Sequence, residues 1–310
     1  MFDRAALTHA FLGQDAVVNL ASALPSTVQF IRRGAWRGNN RVRIAGSTNV
    51  VDAALEAGVP RLLQESVSLL YPVRGDAWVD ESVPPDEFPA SRGNLAAERN
   101  AGRFTDSGRS GAVLRFGWFI GPGARHAEQF VTMAHWRVAP TLGAPRSYIS
   151  SIHLDDAARA VVDALGAPPG TYNIVDNEPL TKIDFADALS QAVGRRAWIR
   201  GPGRAAPLFG DRLTSLTRSI RVSNQLFRRT TGWLPRYGSA REAGRPPSPL
   251  SRCETTDPRE QRTLADRRRT ASSRAAATSW MERPPMSPSL PQDSPEGGAP
   301  HRAAAPERRS

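Results

Sequence analysis

Residues 49–72 read NVVDAALEAGVPRLLQESVSLLYP, and the order of signals in that stretch decides the fold class. Val50, Val51, Ala54 and Leu55 repeat at helical spacing. Gly58 stands where a helix wants a left-handed last residue, and Pro60 bars the helix from continuing. The run Arg61–Ser66 is short and sets Leu62 beside Leu63, one for each face of a strand covered on both sides. A helix, a tight turn and a buried strand make half of a βαβ unit, and the same alternation extends outward in both directions. Strands are expected at Ala16–Ala21, Ala112–Phe119, Tyr148–His153, Tyr172–Val175 and, more weakly, Ala197–Arg200. Helices are expected at Arg4–Leu12, Arg41–Ala57, Asn94–Thr105, Glu128–Val138, Asp155–Leu165 and Lys182–Val193. The expected class is α/β with a mostly parallel sheet.

Composition narrows the function classes. With 310 residues and 40% hydrophobic content the chain can bury a large core. No apolar run approaches the ~20 residues that span a bilayer, and the N-terminus lacks the basic and apolar regions of a signal peptide, so a cytoplasmic protein is expected, with no membrane partner. Cys253 is the sole cysteine, which excludes a disulfide framework and a CxxC metal site; no metal is expected. The net charge of +11 would suit nucleic acid. Yet only one of the 41 basic residues is a lysine, and the cations lack interleaved aromatic residues, so basic charge reads as background rather than as a phosphate-binding surface. After about Ala240 large apolar residues and periodicity both cease, and residues 241–310 are expected to be a disordered Arg/Pro/Ser-rich tail, either an interaction segment or an out-of-frame extension.

Six pieces in order carry a resemblance: DAVVNLA (Asp15–Ala21), the opening stretch at 49–72, NLAAE (Asn94–Glu98), LRFGWFIGPG (Leu114–Gly123), SSIHLDDAARAVVDAL (Ser150–Leu165), and the pair GTYNIVDNEPLT (Gly170–Thr181) with TGWLPRY (Thr231–Tyr237). Together they resemble the NAD-dependent epimerase/dehydratase family of extended short-chain dehydrogenases over about three quarters of the chain. The resemblance implies a Rossmann-like sheet over residues 1–165 with a small substrate-side lobe over 166–240. It also implies NAD or NADP as cofactor, a carbonyl or sugar-nucleotide substrate, and homodimerisation as the assembly.

The family pattern is incomplete here. A Rossmann fingerprint places glycines in the first strand-to-helix turn, where backbone N–H groups reach the pyrophosphate. That turn is absent, so the expectation is a sheet lacking its first βαβ unit and weak or lost dinucleotide binding. GPGRAA at Gly201–Ala206 matches the spacing but carries Pro202 in the tight turn. The family's Tyr-x-x-x-Lys dyad, a phenol acid/base tuned by a lysine one helical turn later, maps onto Ala90 and Asn94. No tyrosine is followed by lysine at the fourth residue, so no register restores it.

The resemblance places Asn19, Leu20, Ala21, Ser66, Phe116, Gly117 and Trp118 beside the cofactor, and Ser66, Tyr71, Asn94 and His126 as catalytic candidates. Each has a plainer reading. Ser66 serves equally as a strand-end hydroxyl for a loop amide, Tyr71 as an amphipathic lid on the core, His126 as a solvated loop histidine, and Phe116–Trp118 as buried strand. His153, Asp155 and Asp156 read as the start of a helix rather than as catalysts. The expected function is an NAD(P)-binding epimerase/dehydratase-like protein, catalytically impaired in this form. The alternatives are a non-enzymatic NAD(P)-responsive regulator and, last, a basic nucleic-acid binder.

Overall fold

The computed structural model describes residues 1–25, 29, 33–194, 199–203 and 217–242. Numbered along the chain, β1 (Val17–Asn19), β2 (Arg61–Val67), β4 (Ser110–Phe116) and β9 (Gly170–Ile174) form a parallel sheet in the order β1-β2-β4-β9. The register sets Val17 against Leu62, Leu63 against Ala112 and Leu114 against Tyr172. The two strands expected first in the sheet are therefore direct neighbours.

Both faces of the sheet are covered, and the apolar residues Leu62–Leu63 of β2 and Ala112–Leu114 of β4 are buried between them. On one face Val17, Leu62 and Val113 pack against Val50, Val51 and Ala54 of α3 (Ser47–Glu56) and against Ala101 and Phe104 of α4 (Arg92–Asp106). On the other, Leu63, Leu114 and Phe116 meet Ala157, Ala160 and Ala164 of α6 (Leu154–Ala164), together with Phe227 and Trp233. Each buried Leu contributes about 1.5–3 kcal/mol. At the end of α3 Gly58 is left-handed (φ 76°), and the Val59 N–H closes on the Ala54 carbonyl at 2.9 Å. α1 (Arg4–Phe11) leans on α3 through Arg4, which reaches Asp52 and Glu56.

Three expected elements are divided in the structure. The run Ala112–Phe119 breaks at Gly117. β5 (Trp118–Ile120) leaves the main sheet and pairs in parallel with β8 (Ser151–His153). A Cβ at Gly117 would lie 2.8 Å from the Ser150 carbonyl and 3.0 Å from Val175 Cγ1, so the crossing requires glycine. Tyr148–His153 splits likewise, β7 (Tyr148–Ile149) pairing antiparallel with β10 (Leu180–Thr181). The expected helix Arg41–Ala57 begins as a π-helical turn, Val42–Gly46, between α2 (Arg37–Arg41) and α3, and that turn carries Arg43 inward to 2% exposure.

The segment between β2 and α4 is a strap. Its β3 (Trp78–Val79) runs parallel to β12 (Arg221–Val222). Arg218 donates to the Tyr71 carbonyl at 2.5 Å, pairs with Asp86 at 2.9 Å and lies over Phe88 at 4.3 Å. Arg221 lies over Trp78 at 4.3 Å. α5 (Arg125–His135), β6 (Val138–Leu142), α7 (Lys182–Ala192), β11 (Ile199–Gly203) and α8 (Gln225–Thr231) complete the described elements, with β6 and β11 parallel. Gly201–Gly203 of the GPGRAA match form the end of β11; Ala197 and the match's last three residues lie outside the described residues, as does the tail from 243 onward. No described helix is long and apolar enough to cross a membrane.

Candidate functional site

Parallel sheets of this kind take ligands at the carboxyl ends of their strands, and here those ends carry polar side chains. Asn19 ends β1, 6% exposed. Its Nδ2 donates to Gln64 Oε1 at 2.8 Å, and its Oδ1 accepts from the Ala21 N–H at 3.3 Å. Leu20 beyond it is 49% exposed and Ala21 half-buried. Next to Gln64, the enclosed Glu65 carboxylate meets Arg43 at 2.6 Å; burial pushes its pKa up, and Arg43 holds it back.

Ser66 is fully buried, and its hydroxyl donates to Glu98 Oε1 at 2.6 Å. Arg115, next to last in β4, clasps the same carboxylate with two bonds, Nε to Oε1 at 2.9 Å and Nη2 to Oε2 at 2.7 Å. Burial works against that guanidinium, but Glu98 overcomes it and raises the arginine's pKa further. Arg115 also lies over the Tyr71 ring at 4.9 Å. Tyr71 is enclosed, and its hydroxyl donates to Asn173 Oδ1 at 2.8 Å. Burial raises the phenol's pKa against the pull of Arg115. Asn173 in turn gives its backbone N–H to Glu81 of the strap at 2.8 Å. A continuous chain, Ser66–Glu98–Arg115–Tyr71–Asn173–Glu81, thus runs from the end of β2 into the strap.

Asn94 projects one helical turn before Glu98 on α4. It is 7% exposed, and its Oδ1 is buried without a hydrogen-bond partner. A lone buried acceptor costs free energy unless something donates to it. A ribose hydroxyl is such a donor, so on this observation the residues fit the nicotinamide end of a dinucleotide.

The remaining sequence candidates sit apart. Phe116 is a core residue at 3% exposure and Gly117 is the buried crossing point. Trp118 stacks on Phe130 with ring centres 5.6 Å apart, and the His126 ring lies 5.8 Å from it. His126 is half-buried, and burial lowers its pKa, which keeps it neutral near physiological pH. The structure thus gathers Ser66, Tyr71 and Asn94 around the Glu98–Arg115 pair, leaves Asn19 to Gln64, and puts His126 and Trp118 in a second cluster at β5.

His153 caps α6, its Nδ1 accepting from the Asp155 N–H at 3.2 Å. Asp156, fully buried, accepts from the backbone N–H groups of Arg236 and Tyr237 at 2.9 Å each and so anchors the TGWLPRY segment. Glu98, Arg115 and Arg43 were not anticipated. The available signal was Arg115 itself: an arginine inside the apolar run AVLRF has to meet a carboxylate. Among the described residues no cluster of three or more His, Cys, Asp or Glu could hold a metal ion.

No family model matches the chain. It is 29% identical over 220 residues to a 3-diazoavenalumate denitrifying reductase of a Streptomyces species, covering 67% of this chain and 71% of that protein. It is 29% identical over 195 residues to the epimerase family protein Mb2239 of Mycobacterium bovis, and spans 62% of that relative's length. Among solved structures it is similar to human epimerase family protein SDR39U1 with NADPH (TM-score 0.68, 22% identity, 77% of this chain and 84% of that one). A second is Thermus thermophilus UDP-glucose 4-epimerase with NAD (TM-score 0.64, 21% identity, 78% and 80%). The fold, the order of the sequence signals and these relatives point the same way: the chain is similar to epimerase family proteins and shares the Rossmann-like fold of NAD-dependent epimerases.

Proposed function

We propose that the chain is an NAD(P)-dependent protein of the epimerase/dehydratase type that works by hydride transfer to a small-molecule electrophile and not through a Tyr/Lys proton relay. One observation carries the reading: at the lysine position stands Asn94, an uncharged residue whose buried Oδ1 lacks a donor. When bound, the dinucleotide would supply or take up hydride. The chain's own residues would do the rest. Asn94 would accept from the nicotinamide ribose, Leu20 and Ala21 at the exposed end of β1 would lie along the cofactor, and Phe116–Trp118 would form the wall behind it. Ser66 and Tyr71 are committed to Glu98 and Asn173, which leaves His126, half-buried and kept neutral by burial, as the base for any step that moves a proton. The working form would be a cytoplasmic homodimer, with substrate held between the sheet and the lobe of residues 166–240.

Two substrate classes follow. UDP-glucose and UDP-glucuronic acid are named in the titles of structural neighbours, and sugar nucleotides need a proton-transfer group when a carbonyl forms or is reduced. The Streptomyces relative is named as a reductase of a diazo compound. Hydride delivery to an arenediazonium forms a C–H bond while the C–N bond breaks and N₂ leaves with its electron pair; no proton is transferred. A site without the dyad favours the second class.

The test is NADPH turnover by the full chain with an arenediazonium and, separately, with UDP-glucose, beside the double variant Ala90→Tyr/Asn94→Lys. The expected result is turnover of the diazonium alone, with the variant gaining activity only on the sugar nucleotide. Turnover of UDP-glucose by the unaltered chain at the variant's rate would overturn the reading and make a Tyr71- or His126-based mechanism the leading account. NADPH binding with neither turnover would favour the non-enzymatic, NAD(P)-responsive protein.

A further inference from the structure

The main sheet has two edges, and the chain treats them differently. At β9 the outward Asn173 N–H is taken by Glu81 of the strap at 2.8 Å. β1 has β2 on one side and, among the described residues, no strand on the other. Backbone N–H and C=O groups along an open edge are a template for another strand, and monomeric proteins blunt such edges with charge, proline or a bulge. The run Ala16–Leu24 carries neither a charged residue nor a proline. The nicotinamide-side reading uses the end of β1 and not its edge.

The side chains of β1 add to the contrast. Val17 packs under α3 and Asn19 is bonded to Gln64, but Val18 faces the other way. On that face α6 covers Leu63 and Leu114 and leaves Val18 39% exposed, with Leu20 open beyond it. Of the thirteen large apolar side chains exposed among the described residues, five (Phe2, Leu12, Val18, Leu20 and Leu24) stand at or beside α1 and β1. Apolar exposure concentrated in this way marks a contact surface, where scattered exposure would not.

Charge and symmetry decide what the edge meets. Two copies of a chain carrying +11 repel over most of their surfaces. Residues 1–24, however, hold one of the 41 basic residues, Arg4, against Asp3 and Asp15, and Arg4 is tied to Asp52 and Glu56. Two copies therefore meet here without the repulsion they meet elsewhere. β1 is three residues long and centred on Val18. A two-fold axis through Val18 lays the strand antiparallel to its own copy: Val18 opposes Val18, Val17 opposes Asn19 and Asp15 opposes Ala21, so no like charges stand face to face. Such a pairing closes with two copies and does not propagate into a fibre.

We propose that the β1 edge is the interface of a two-fold dimer in which a second copy of this chain pairs antiparallel at β1 and joins the two four-stranded sheets into one. The inference rests on the homodimer of the preceding reading and goes beyond it by naming the surface.

Sedimentation equilibrium of the full-length chain over a concentration series is expected to give twice the chain mass. Val18→Lys sets two ammonium groups face to face on the axis and should weaken the dimer about tenfold or more. Val18→Thr keeps a β-branched side chain and should stay within about twofold of the unaltered chain. A second measurement reads the geometry directly. Opposed residues of an antiparallel pair lie about 4.5–5.5 Å apart, within disulfide reach. Val18→Cys in a Cys253→Ser background should therefore oxidise to a covalent dimer, while Val162→Cys, exposed on α6, should remain a single chain in the same background. A monomer at every concentration would overturn both the homodimer and the inference, and leave the edge to a strand of another protein. A dimer that survives Val18→Lys, or in which Val18→Cys forms no link, would keep the homodimer and overturn the interface alone.

Discussion

Removing the Glu98 carboxylate tests the centre of the candidate site. In Glu98→Ala the Arg115 guanidinium, at 6% side-chain exposure, loses both of its bonds to Glu98, and the buried Ser66 hydroxyl loses its acceptor. An exposed pair would cost about 0.2–1 kcal/mol. Here the surviving charge is buried and uncompensated, a situation worth ~3–5 kcal/mol, and the stranded hydroxyl adds about 1 kcal/mol where the two costs do not overlap. The expected loss is therefore about 4 kcal/mol, measured by urea unfolding. Arg115→Met should cost less than Glu98→Ala, because a half-exposed helix lets a lone carboxylate reach water more readily than β4 lets a lone guanidinium. The double variant should recover much of the loss. A cost below about 1 kcal/mol, or single-variant costs that simply add, would refute the claim that this pair holds the strand ends together.

Asp176 is almost wholly buried, with the Ser151 hydroxyl donating to its carboxylate at 2.6 Å and the Glu178 backbone N–H also donating to it. Burial raises its pKa well above the usual 3.8, so its contribution to stability is fully present below that value and is lost as pH rises toward the folded-state pKa. Asp176→Asn should flatten that slope and be the more stable form at neutral pH in pH-dependent urea melts. Asn94→Ala should weaken NADPH binding about five- to tenfold by titration calorimetry while leaving the fold as stable or slightly more so, since it deletes an unpaired buried oxygen. Loss of stability without loss of binding would make Asn94 a packing residue. Gly121→Ala should lower the melting temperature more than Gly75→Ala does. Both sites are left-handed, at φ 96° and 59°, a backbone cost of about 1–2 kcal/mol, but only at Gly121 would the new methyl collide with the His153 ring.

The sheet was legible because burial on two faces forces a pattern that survives in sequence. RLLQES and AVLRF each put adjacent apolar residues, Leu62–Leu63 and Ala112–Leu114, toward the two covered faces, and Gly58 and Pro60 have to end the helix before RLLQES. The breaks at Gly117 and Ile149 were not legible. They depend on where β5 meets β8 and on the Ser150 carbonyl, a contact between segments far apart in the chain. The site was half legible. The absence of the dyad is a statement about residue types at a spacing, which one sequence can decide. The Ser66–Glu98–Arg115 clasp joins three elements, and no spacing rule connects them. The Tyr71 side chain is enclosed because Asn173 and Arg115, near the ends of β9 and β4, satisfy its hydroxyl and ring.

The placement of Arg115 bears on the chemistry. In the family's usual scheme a lysine stabilises a phenolate beside the reacting carbon. Here a cation also lies against a tyrosine, Arg115 over Tyr71, but its charge is already matched by Glu98, and burial raises the phenol's pKa in spite of it. The phenol is held enclosed and bonded to Asn173. The buried charge instead ties the end of β2 to the strap and, through Asn173, to the Ser223 carbonyl at 3.2 Å. Positioning is what this network can supply, and a reaction whose only transferred particle is a hydride needs little else from the protein.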